Sequence, residues 1–409
     1  MQKTLVVAGG GAAGFFCAVT AARLNPALKV ILVEKTGRLL SKVRISGGGR
    51  CNLAHACFSI GEMVRKYPRG SNFVKKTFHQ FFTSDTVRWF EERGVPTKTE
   101  TDGRIFPVSD SSQSVIDCLL REAALFRVEI RLHHEIRKIQ PGNDSGGFKI
   151  FFSNGLENDA DYICIASGGY PKTSMFEWIL ATGHSIEEPV PSLFTFNIPG
   201  NSISSLTGIS VPSATLKISA ESLKEAGPLL ITHWGMSGPA VLKLSAWGAR
   251  ILHKKNYRFE IRVNWLGDRN EQVLREEMQN LRETSGARKI RQKNPWSLPQ
   301  RLWEWLLETA GIGDIHWADL PGKLQNKLIQ LLTGQSFIVE GKTTFKEEFV
   351  TAGGLNLSEI NPQTMESRIL PGLFFAGEVL DVDGVTGGFN FQHAWTSGFI
   401  AGKAIASNC

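Results

Sequence analysis

Cys51 and His233 are the two side chains whose surroundings suggest proton transfer, because each lies in a glycine-rich segment. Cys51 follows three consecutive glycines in residues 46–52, and such glycines can present successive backbone N–H groups to an anion. A thiol held beside a carbon that receives a hydride could donate the accompanying proton, which is the task of a general acid. The alternatives are a small buried residue for Cys51 and a hydrogen-bonded structural histidine for His233. His393 has the same two interpretations, and no metal site is predicted because the histidines lack ligand spacing.

The elements that would position these groups begin with a strand–loop–helix unit at the start of the chain. An apolar run, a GxGxxG loop and an alanine-rich helical stretch follow one another at residues 5–8, 9–14 and 12–24. Gly9 suits the tight turn, Gly11 lets the backbone approach a pyrophosphate, and Gly14 lets helix and strand pack closely. Glu34 ends the next strand, 20 residues beyond Gly14, and can accept hydrogen bonds from ribose hydroxyls. The unit therefore predicts a site for an adenine dinucleotide, with the phosphates at the helix N-terminus.

The end of the chain carries a second strand–turn–helix pattern, which favours FAD over NAD. An apolar strand at 373–375 leads into Gly-Glu at 377–378, and Gly-Gly at 387–388 precedes a helical stretch from about 392 to 406. A carboxylate such as Asp381 suits a ribityl hydroxyl. The N-terminus of a helix suits the flavin edge on which negative charge gathers during reduction.

Three long motifs resemble the BaiN/YhiN-type FAD-dependent flavoproteins. They are KVRISGGGRCN at 42–52, THWGMSGPA at 232–240 and GEVLDVDGVTGGFNFQHAW at 377–395. Together with the loop at 9–14, these motifs are distributed over nearly the whole length of the chain. The resemblance implies an FAD-dependent oxidoreductase. It departs from the family at Ser167, where threonine is usual, and at His393, where a larger aromatic residue is common.

The glycine patterns, the strand and turn at 161–169, and the resemblance together predict a set of cofactor-binding residues. The set is Gly9, Gly11, Ala12, Ala13, Gly14, Glu34, Lys35, Lys42, Ser46, Gly48, Arg50, Cys51, Asn52, Ile136, Ala166, Ser167, Gly168, Gly169, Gly377, Glu378, Asp381, Gly387, Gly388, Phe389, Asn390 and Phe391. Cys51 and His233 are the catalytic candidates. No second GxGxxG follows a strand, so a dedicated NAD(P)H domain is not expected, while a transient NAD(P)H site for the electron donor stays open.

Because both ends of the chain carry predicted cofactor residues, the FAD-binding domain must be discontinuous. We predict an α/β fold with a Rossmann-like FAD-binding domain of the type that has two dinucleotide-binding folds. This domain comprises residues 1–190 and 346–409. Between these parts, short alternating apolar runs separated by Gly, Pro and Ser predict an inserted β-barrel-like domain at 191–268 plus 333–345. Helical periodicity predicts a helical subdomain at 269–332. Such an insertion usually forms a wall or lid over the substrate face of a flavin.

The charge of the chain is unevenly distributed. Its 409 residues carry a formal net charge of +7, yet residues 35–76 hold ten Lys or Arg against one acid, which leaves −2 for the remainder. A second run at 288–301 has five cations and no acid, with Trp296, Trp303 and Trp305 in or beside it. Clustered cations bind phosphates, and aromatic side chains stack on unpaired bases. The alternative is solvated helix faces with core tryptophans.

Two functions from different classes fit these observations. The family resembled includes enzymes linked to dihydrouridine formation in large-subunit ribosomal RNA, and the basic clusters 35–76 and 288–301 would suit that partner. The alternative is a small-molecule oxidoreductase, since similar proteins are associated with aminoacetone or amino-acid oxidation and with steroid double-bond reduction. Scattered cysteines without a CxxC pair predict a cytoplasmic protein. The uncharged stretch 4–22 is too glycine-rich for a membrane span, so no membrane partner is expected, and the oligomeric state stays open.

Overall fold

A computed structural model of the protein describes residues 2–142, 146–219, 221–343 and 350–408. The chain divides into two compact units, Met1–Ser192 with Phe345–Cys409 and Leu193–Thr344. The first division lies two residues beyond the predicted boundary at 190. The second predicted boundary, between 345 and 346, lies outside the described residues. Breaks at 141–144 and 146–147 in the apolar run 136–152 also predict a hairpin turn, of which Asn143 and Asp144 lie outside the described residues.

The described residues form helices and strands that are numbered here in chain order. The strands are β1 (Thr4–Ala8), β2 (Lys29–Glu34), β3 (Ala54–His55), β4 (Thr97–Thr99), β5 (Arg104–Pro107), β6 (Glu129–Leu132), β7 (Ile136–Pro141), β8 (Phe148–Phe152), β9 (Glu157–Ala160), β10 (Tyr162–Ile165), β11 (Ile186–Ser192), β12 (Thr195–Asn197), β13 (Ser210–Ile218), β14 (Lys224–Thr232), β15 (Gly235–Ser237), β16 (Arg258–Asn264), β17 (Gln335–Glu340), β18 (Lys342–Thr343), β19 (Val350–Leu355) and β20 (Leu373–Phe375). The helices are α1 (Ala12–Leu24), α2 (Ser41–Gly49), α3 (Ile60–Val64), α4 (Ser71–Thr77), α5 (Thr83–Glu91), α6 (Ser112–Leu125), α7 (Glu177–Leu180), α8 (Pro239–Lys254), α9 (Glu271–Ser285), α10 (Gln300–Ala310), α11 (Gly322–Gly334) and α12 (Phe389–Ser407).

A five-stranded parallel sheet forms the centre of the first unit, in the order β20-β10-β1-β2-β6. Its strands are continuous apolar runs because both faces are covered, and Leu5, Val6 and Val7 of β1 have no accessible surface. The strand order reverses at β1. In open parallel sheets, ligands bind at the carboxyl ends of the strands beside such a reversal. Predicted cofactor residues, among them Gly9 and Ala166, follow directly at those ends.

Helix α12 packs closely along α1 and so links the end of the chain to its beginning. A Cβ at Gly398 would lie 2.3 Å from the carbonyl oxygen of Ala13, and one at Gly402 would lie 2.5 Å from that of Cys17. The two glycines are four residues apart and therefore share one face of α12. The start of α12 is consequently held beside the start of α1.

The remainder of the first unit is small antiparallel sheets and helices. The sheets are β3-β5-β4, β7-β8-β9 and β11-β19. The sequence pattern predicts a crossover helix at 111–126 and a strand at 128–132, and the structure has them as α6 and β6. The predicted hairpin at 136–152 is observed as β7–β8. None of the helices within the described ranges combines the length and the apolar content needed to cross a membrane.

The second unit contains a seven-stranded antiparallel sheet, in the order β17-β16-β13-β14-β15-β12-β18, with α8 to α11. Its apolar core includes Trp265 and Trp303, neither with accessible surface. The predicted helical stretch is observed as α9, α10 and α11. Within the predicted β-barrel-like stretch 191–268 the structure also has the helix α8, which was not predicted. A proline at the first helical position and apolar residues at helical spacing marked this helix in the sequence, and the surrounding glycines and serines obscured them.

Candidate cofactor-binding site

The glycine loop after β1 is fixed by two close backbone approaches. Gly9 has φ +119°, and a Cβ there would lie 2.3 Å from the carbonyl oxygen of Ala166. A Cβ on Gly14 would lie 1.9 Å from the carbonyl oxygen of Gly9, so both positions require glycine. At Gly11, which caps α1, a Cβ would meet no atom within 4 Å. Helix α1 has neither a capping side chain nor an acidic residue in its first turn, which leaves its N-terminus suited to a phosphate.

Glu34 shapes this loop from the end of β2. Its Oε2 accepts a hydrogen bond from the backbone N–H of Gly10 at 3.0 Å. Its Oε1 accepts from the N–H and the hydroxyl of Thr36, both at 2.9 Å. An ionised carboxylate offers about four acceptor positions, so capacity remains for a ribose hydroxyl. The predicted ribose contact stays a prediction, and the observed bonds add a role in holding the loop.

The three glycines of the 46–52 loop interrupt α2. The backbone is non-helical from Ser46 to Gly48, and a Cβ at Gly48 or Gly49 would meet no atom within 4 Å. Bare backbone at such positions lets a flat or anionic group approach closely. Arg50 is engaged elsewhere: its guanidinium pairs with Glu100 at 2.6 Å and lies 4.0 Å from the ring centre of Phe106. It therefore anchors the loop, and its predicted contact with the cofactor stays a prediction.

Cys51 lies inside this loop, with φ +65° and no accessible surface. Its N–H donates to the carbonyl oxygen of Ser46 at 2.9 Å. Burial raises the pKa of its thiol to about 12, against a smaller opposing effect of the Ser46 side chain. The thiol is therefore neutral at physiological pH and enclosed by protein. This arrangement favours the small buried residue over the general acid, a role that stays untested.

Asn52 and Leu53 join the loop to α12. With its amide oriented to satisfy its neighbours, Asn52 accepts from the N–H of Gly388 at 3.0 Å and donates to the carbonyl of Ala54 at 3.1 Å. The indole N–H of Trp395 donates to the carbonyl of Leu53 at 2.9 Å. Helix α12 begins after Gly388 without a side-chain cap, so a second uncapped helix N-terminus lies beside the glycine loop.

Glu378 connects three of the predicted segments. Its Oε2 forms an ion pair with Lys42 of α2. Its Oε1 accepts from the N–H of Thr351 at 3.0 Å, and a Cβ on Gly169 would lie 2.8 Å from the same oxygen. The turn at 166–169 is thereby held against the Gly-Glu pair. Thr351 was not predicted, because no sequence motif marks it.

The segment leading into α12 is held by the predicted residue Asn390 and by His55, which sequence reasoning did not single out. The ring of His55 stacks on Phe389, with centroids 4.7 Å apart, and its Nδ1–H donates to the carbonyl of Gly387 at 3.1 Å. The side chain of Asn390 bonds both backbone groups of Gly384, at 2.8 and 2.9 Å. These contacts fix the backbone around the predicted cofactor residues 387–391.

Asp383 is the buried acid of this segment, with no accessible surface. It pairs with Arg69 and accepts from the hydroxyl of Ser192 at 2.9 Å. Its neighbour Asp381, the predicted ribityl contact, is 9% exposed. The signal for the pair was present in the sequence, since Asp383 follows Asp381 in the same motif, but nothing local identified Arg69 as its partner.

His393 lies in the second turn of α12 and is 2% exposed. Its Nε2–H donates to the carbonyl of Gly377 at 3.3 Å, while its buried Nδ1 has no hydrogen-bond partner within the described ranges. Burial lowers its pKa to about 4, so the ring is neutral. Of the two interpretations from sequence, the structural histidine is the better supported.

The predicted residues Lys35, Ile136 and His233 take no part in the contacts described above. Lys35 is exposed, and its ammonium lies 5.4 Å from the ring centre of Tyr170, next to the 166–169 turn. Ile136 begins β7 and is buried. His233 belongs to the second unit, where it is exposed and edge-on to Trp234 at 4.3 Å.

The arrangement in the first unit fits FAD. Direct contacts join the loop after β1, the 42–52 segment, the 166–169 turn and the segment 377–391. Two uncapped helix N-termini suit the pyrophosphate and the flavin edge, and glycines without neighbours leave room for both. The structure places these residues, while their individual contacts with the cofactor stay predictions.

Fold and site define an FAD-dependent oxidoreductase with a Rossmann-like cofactor domain. The chain belongs to the family described as HI0933-like protein Rossmann domain, whose model matches residues 3–404. The predicted fold class, family resemblance and cofactor FAD are therefore confirmed.

Relatives match the chain over nearly its full length. It is 30% identical to a protein of Escherichia coli (strain K12) named Ribosomal RNA dihydrouridine synthase, over 98% of this chain and 97% of that protein. A protein of the same name from Haemophilus influenzae is 27% identical, over 98% of both chains. The 3-dehydro-bile acid delta(4,6)-reductase of Clostridium scindens is 26% identical, also over 98% of both.

Solved structures share the fold at low sequence identity. A 3-ketosteroid delta1-dehydrogenase from Sterolibacterium denitrificans matches with a TM-score of 0.54 and 11% identity, over 100% of both chains. A 3-ketosteroid-delta4-(5alpha)-dehydrogenase from Rhodococcus jostii RHA1 matches with a TM-score of 0.52 and 12% identity, over 99% of this chain and 97% of that one. At these identities the likeness concerns the fold alone.

Proposed function

We propose that this FAD-dependent oxidoreductase reduces a uridine of large-subunit ribosomal RNA to dihydrouridine. The observation that carries the proposal is the full-length similarity, at 30% identity, to the Escherichia coli protein named Ribosomal RNA dihydrouridine synthase. The Haemophilus influenzae protein of the same name supports it. The surface charge of this chain provides support that does not depend on those names.

The basic cluster 35–76 lies in the unit that holds the FAD site. Of its ten cations, only Lys42, Arg50 and Arg69 form ion pairs with acids in the part of the chain that the structure describes. The other seven are exposed and have no such pair: Lys35, Arg38, Arg44, Arg65, Lys66, Lys75 and Lys76. Cations that are not neutralised by neighbouring acids raise the local potential, which favours a polyanionic substrate.

The second basic cluster, 288–301, gives weaker support. Lys289 pairs with Asp314, and Arg291 pairs with Glu308. Trp303 has no accessible surface and belongs to the core, so it is not available to stack on a base. The alternative interpretation, with core tryptophans beside a solvated surface, fits this region better.

Dihydrouridine forms when a hydride and a proton add across the C5–C6 double bond of uracil. Bound at the predicted residues of the first unit, FAD would supply the hydride once reduced, and NAD(P)H is the proposed source of the electrons. The target base must leave its stack to be reached. Cys51 is enclosed and His393 is buried and neutral, which disfavours both as the proton donor. His233, the other catalytic candidate from the sequence, is exposed in the second unit.

Mass spectrometry of ribosomal RNA from a strain lacking the gene, beside its parent, tests the proposal. Loss of one dihydrouridine, restored by the wild-type gene, is the expected result. An unchanged modification map would refute it. The second candidate function, reduction of a conjugated double bond in a steroid, is supported by the full-length match to the Clostridium scindens reductase. Purified protein with NADPH and an enone steroid, without air, tests that candidate directly.

A further inference from the structure

Four exposed cations lie in or directly after two helices that pack against each other, α3 and α4: two are in the turn that follows α3 and two are in α4. They are Arg65, Lys66, Lys75 and Lys76, and none has a hydrogen bond or ion pair from its side chain within the described residues. We name residues 60–79 the α3–α4 segment. Glu62 is its one acid. Elsewhere in the first unit, surface cations commonly have acidic partners, as in the pairs Lys29–Glu129, Arg88–Asp85, Lys98–Asp110, Arg104–Asp102 and Lys149–Glu157. Lys35, Arg38 and Arg44 of the same basic cluster also lack ion pairs among the described residues, and the α3–α4 segment is distinguished by holding four such cations within 12 residues.

The α3–α4 segment is attached rigidly to the segment that leads into α12. The carbonyl of Lys66 accepts from the N–H of Val385 at 2.9 Å. The buried hydroxyl of Tyr67 donates to the carbonyl of Phe389 at 2.6 Å. The buried ion pair of Arg69 with Asp383 adds a third connection. A chain of phosphates bound to the exposed cations would consequently lie at a fixed distance from the predicted cofactor residues.

A cavity of about 320 Å³ opens at the start of α4. Its lining includes Ser71, Asn72, Phe73, Lys76 and Ser358. The volume lies at the lower end of the range for small-molecule sites. The amide of Asn72 can both donate and accept hydrogen bonds, and Phe73 offers an apolar wall, so the lining suits a nucleotide whose phosphate meets Lys76.

We propose that the α3–α4 segment binds the backbone of single-stranded RNA next to the nucleotide that is reduced, with one nucleotide in this cavity. The proposal rests on the proposed function and names the surface that would serve it. Several cations spread over this segment suit a polyanion better than a single small anion. The three connections to residues 383–389 explain how binding there would hold a neighbouring base in register with the cofactor.

The test measures binding of a fluorescein-labelled, 12-nucleotide single-stranded RNA to the FAD-loaded protein by fluorescence anisotropy at several salt concentrations. The variant is Lys75→Gln with Lys76→Gln. Its matched control is Lys323→Gln with Lys327→Gln, two exposed lysines of α11 without ion pairs in the described part of the chain. FAD content and melting temperature show that each protein is folded.

For single-stranded nucleic acid, each phosphate contact contributes about 0.7 to the slope of log K against log salt. Loss of two contacts should lower that slope by about 1.4, which corresponds to roughly 25-fold weaker binding at 0.1 M salt. The control should keep the wild-type slope. Asn72→Ala should weaken binding at every salt concentration without changing the slope, because it removes no charge.

Unchanged affinity and slope in the Lys75/Lys76 variant would overturn the proposal, and so would an equal loss in the control. The proposed function can fail separately. An unchanged ribosomal RNA map with a reduced slope in the variant would refute that function and support the surface. Loss of dihydrouridine in the deletion strain, with unaltered RNA binding by the Lys75/Lys76 variant, would support the proposed function and refute the proposed RNA-binding surface.

Discussion

Replacing His393 with phenylalanine should reduce the dependence of stability on pH between 7 and 5. Burial lowers the pKa of this histidine to about 4 in the folded protein. In the unfolded chain an ordinary histidine has a pKa of about 6.5. Between these values the unfolded state binds a proton that the folded state does not, so the free energy of unfolding falls as the pH falls. The loss begins near pH 6.5 and is complete below about pH 4.

The size of the effect follows from the two pKa values. Each unit of difference is worth about 1.4 kcal/mol, so the full window corresponds to about 3 kcal/mol, of which about 2 kcal/mol falls between pH 7 and pH 5. Phenylalanine retains an aromatic ring of similar size and removes the buried Nδ1, which has no partner among the described residues. It also removes the 3.3 Å bond to Gly377, which is long and therefore contributes little.

Urea unfolding of the FAD-containing unit, followed by flavin fluorescence at fixed FAD concentration, measures the effect at pH 5, 6 and 7. The wild-type protein should lose about 2 kcal/mol more than His393→Phe over this range. His79→Phe is the control, because His79 is an exposed histidine of the same unit. If wild type and His393→Phe lose equal stability, the imidazole does not titrate as its burial implies, and the reasoning is refuted.

The cofactor half of the fold was predictable because its signals are local. The first helix was predicted at 12–24 and is found at Ala12–Leu24. Its start follows from glycines whose backbone approaches exclude any side chain, and its end precedes Asn25 and Pro26. Both constraints act within a few residues. The same holds for the strand at 373–375, which the structure has as Leu373–Phe375. A close backbone approach of this kind requires glycine, so it can be recognised in the sequence.

What could not be predicted depends on partners distant in sequence. Arg50 was expected at the cofactor, yet it pairs with Glu100, 50 residues away. Asp383 pairs with Arg69, 314 residues away. No local pattern reveals such a partner, so sequence reasoning identifies the charged residue but not its task. Local sequence also does not reveal burial, because only the packing of distant segments encloses Cys51.

The two basic clusters show how this limit affects functional reasoning. Both are dense in Lys and Arg, and both were predicted as possible RNA-binding surfaces. In the structure, Lys289 and Arg291 of the second cluster have acidic partners, whereas Lys75 and Lys76 of the first have none within the described ranges. A cation that is already paired contributes less to the binding of an anion. The structure therefore moves the search for an RNA surface to the FAD-containing unit.

Three further predictions test how the site is held. Native Cys51 should resist iodoacetamide at pH 8, because burial raises its pKa to about 12 and the thiol is enclosed by protein. Mass spectrometry should find Cys51 alkylated only after unfolding. Labelling of the native protein at the rate of a free thiol would contradict this prediction. Gly14→Ala should abolish FAD binding measured by fluorescence titration, since its Cβ would lie 1.9 Å from a carbonyl oxygen of the loop; wild-type affinity would show that the loop adapts. Gly398→Ala should lower the melting temperature, because the new Cβ would lie 2.3 Å from a carbonyl oxygen of α1 and would force the two helices apart. Such overpacking costs about 1–3 kcal/mol. The higher helix propensity of alanine offsets only roughly 1 kcal/mol of that cost. Gly334→Ala, in α11 with no atom within 4 Å of the new Cβ, is the matched control and should not destabilise. Because alanine has the higher helix propensity, an equal loss of stability in both variants would contradict the assignment of that loss to the contact between α1 and α12.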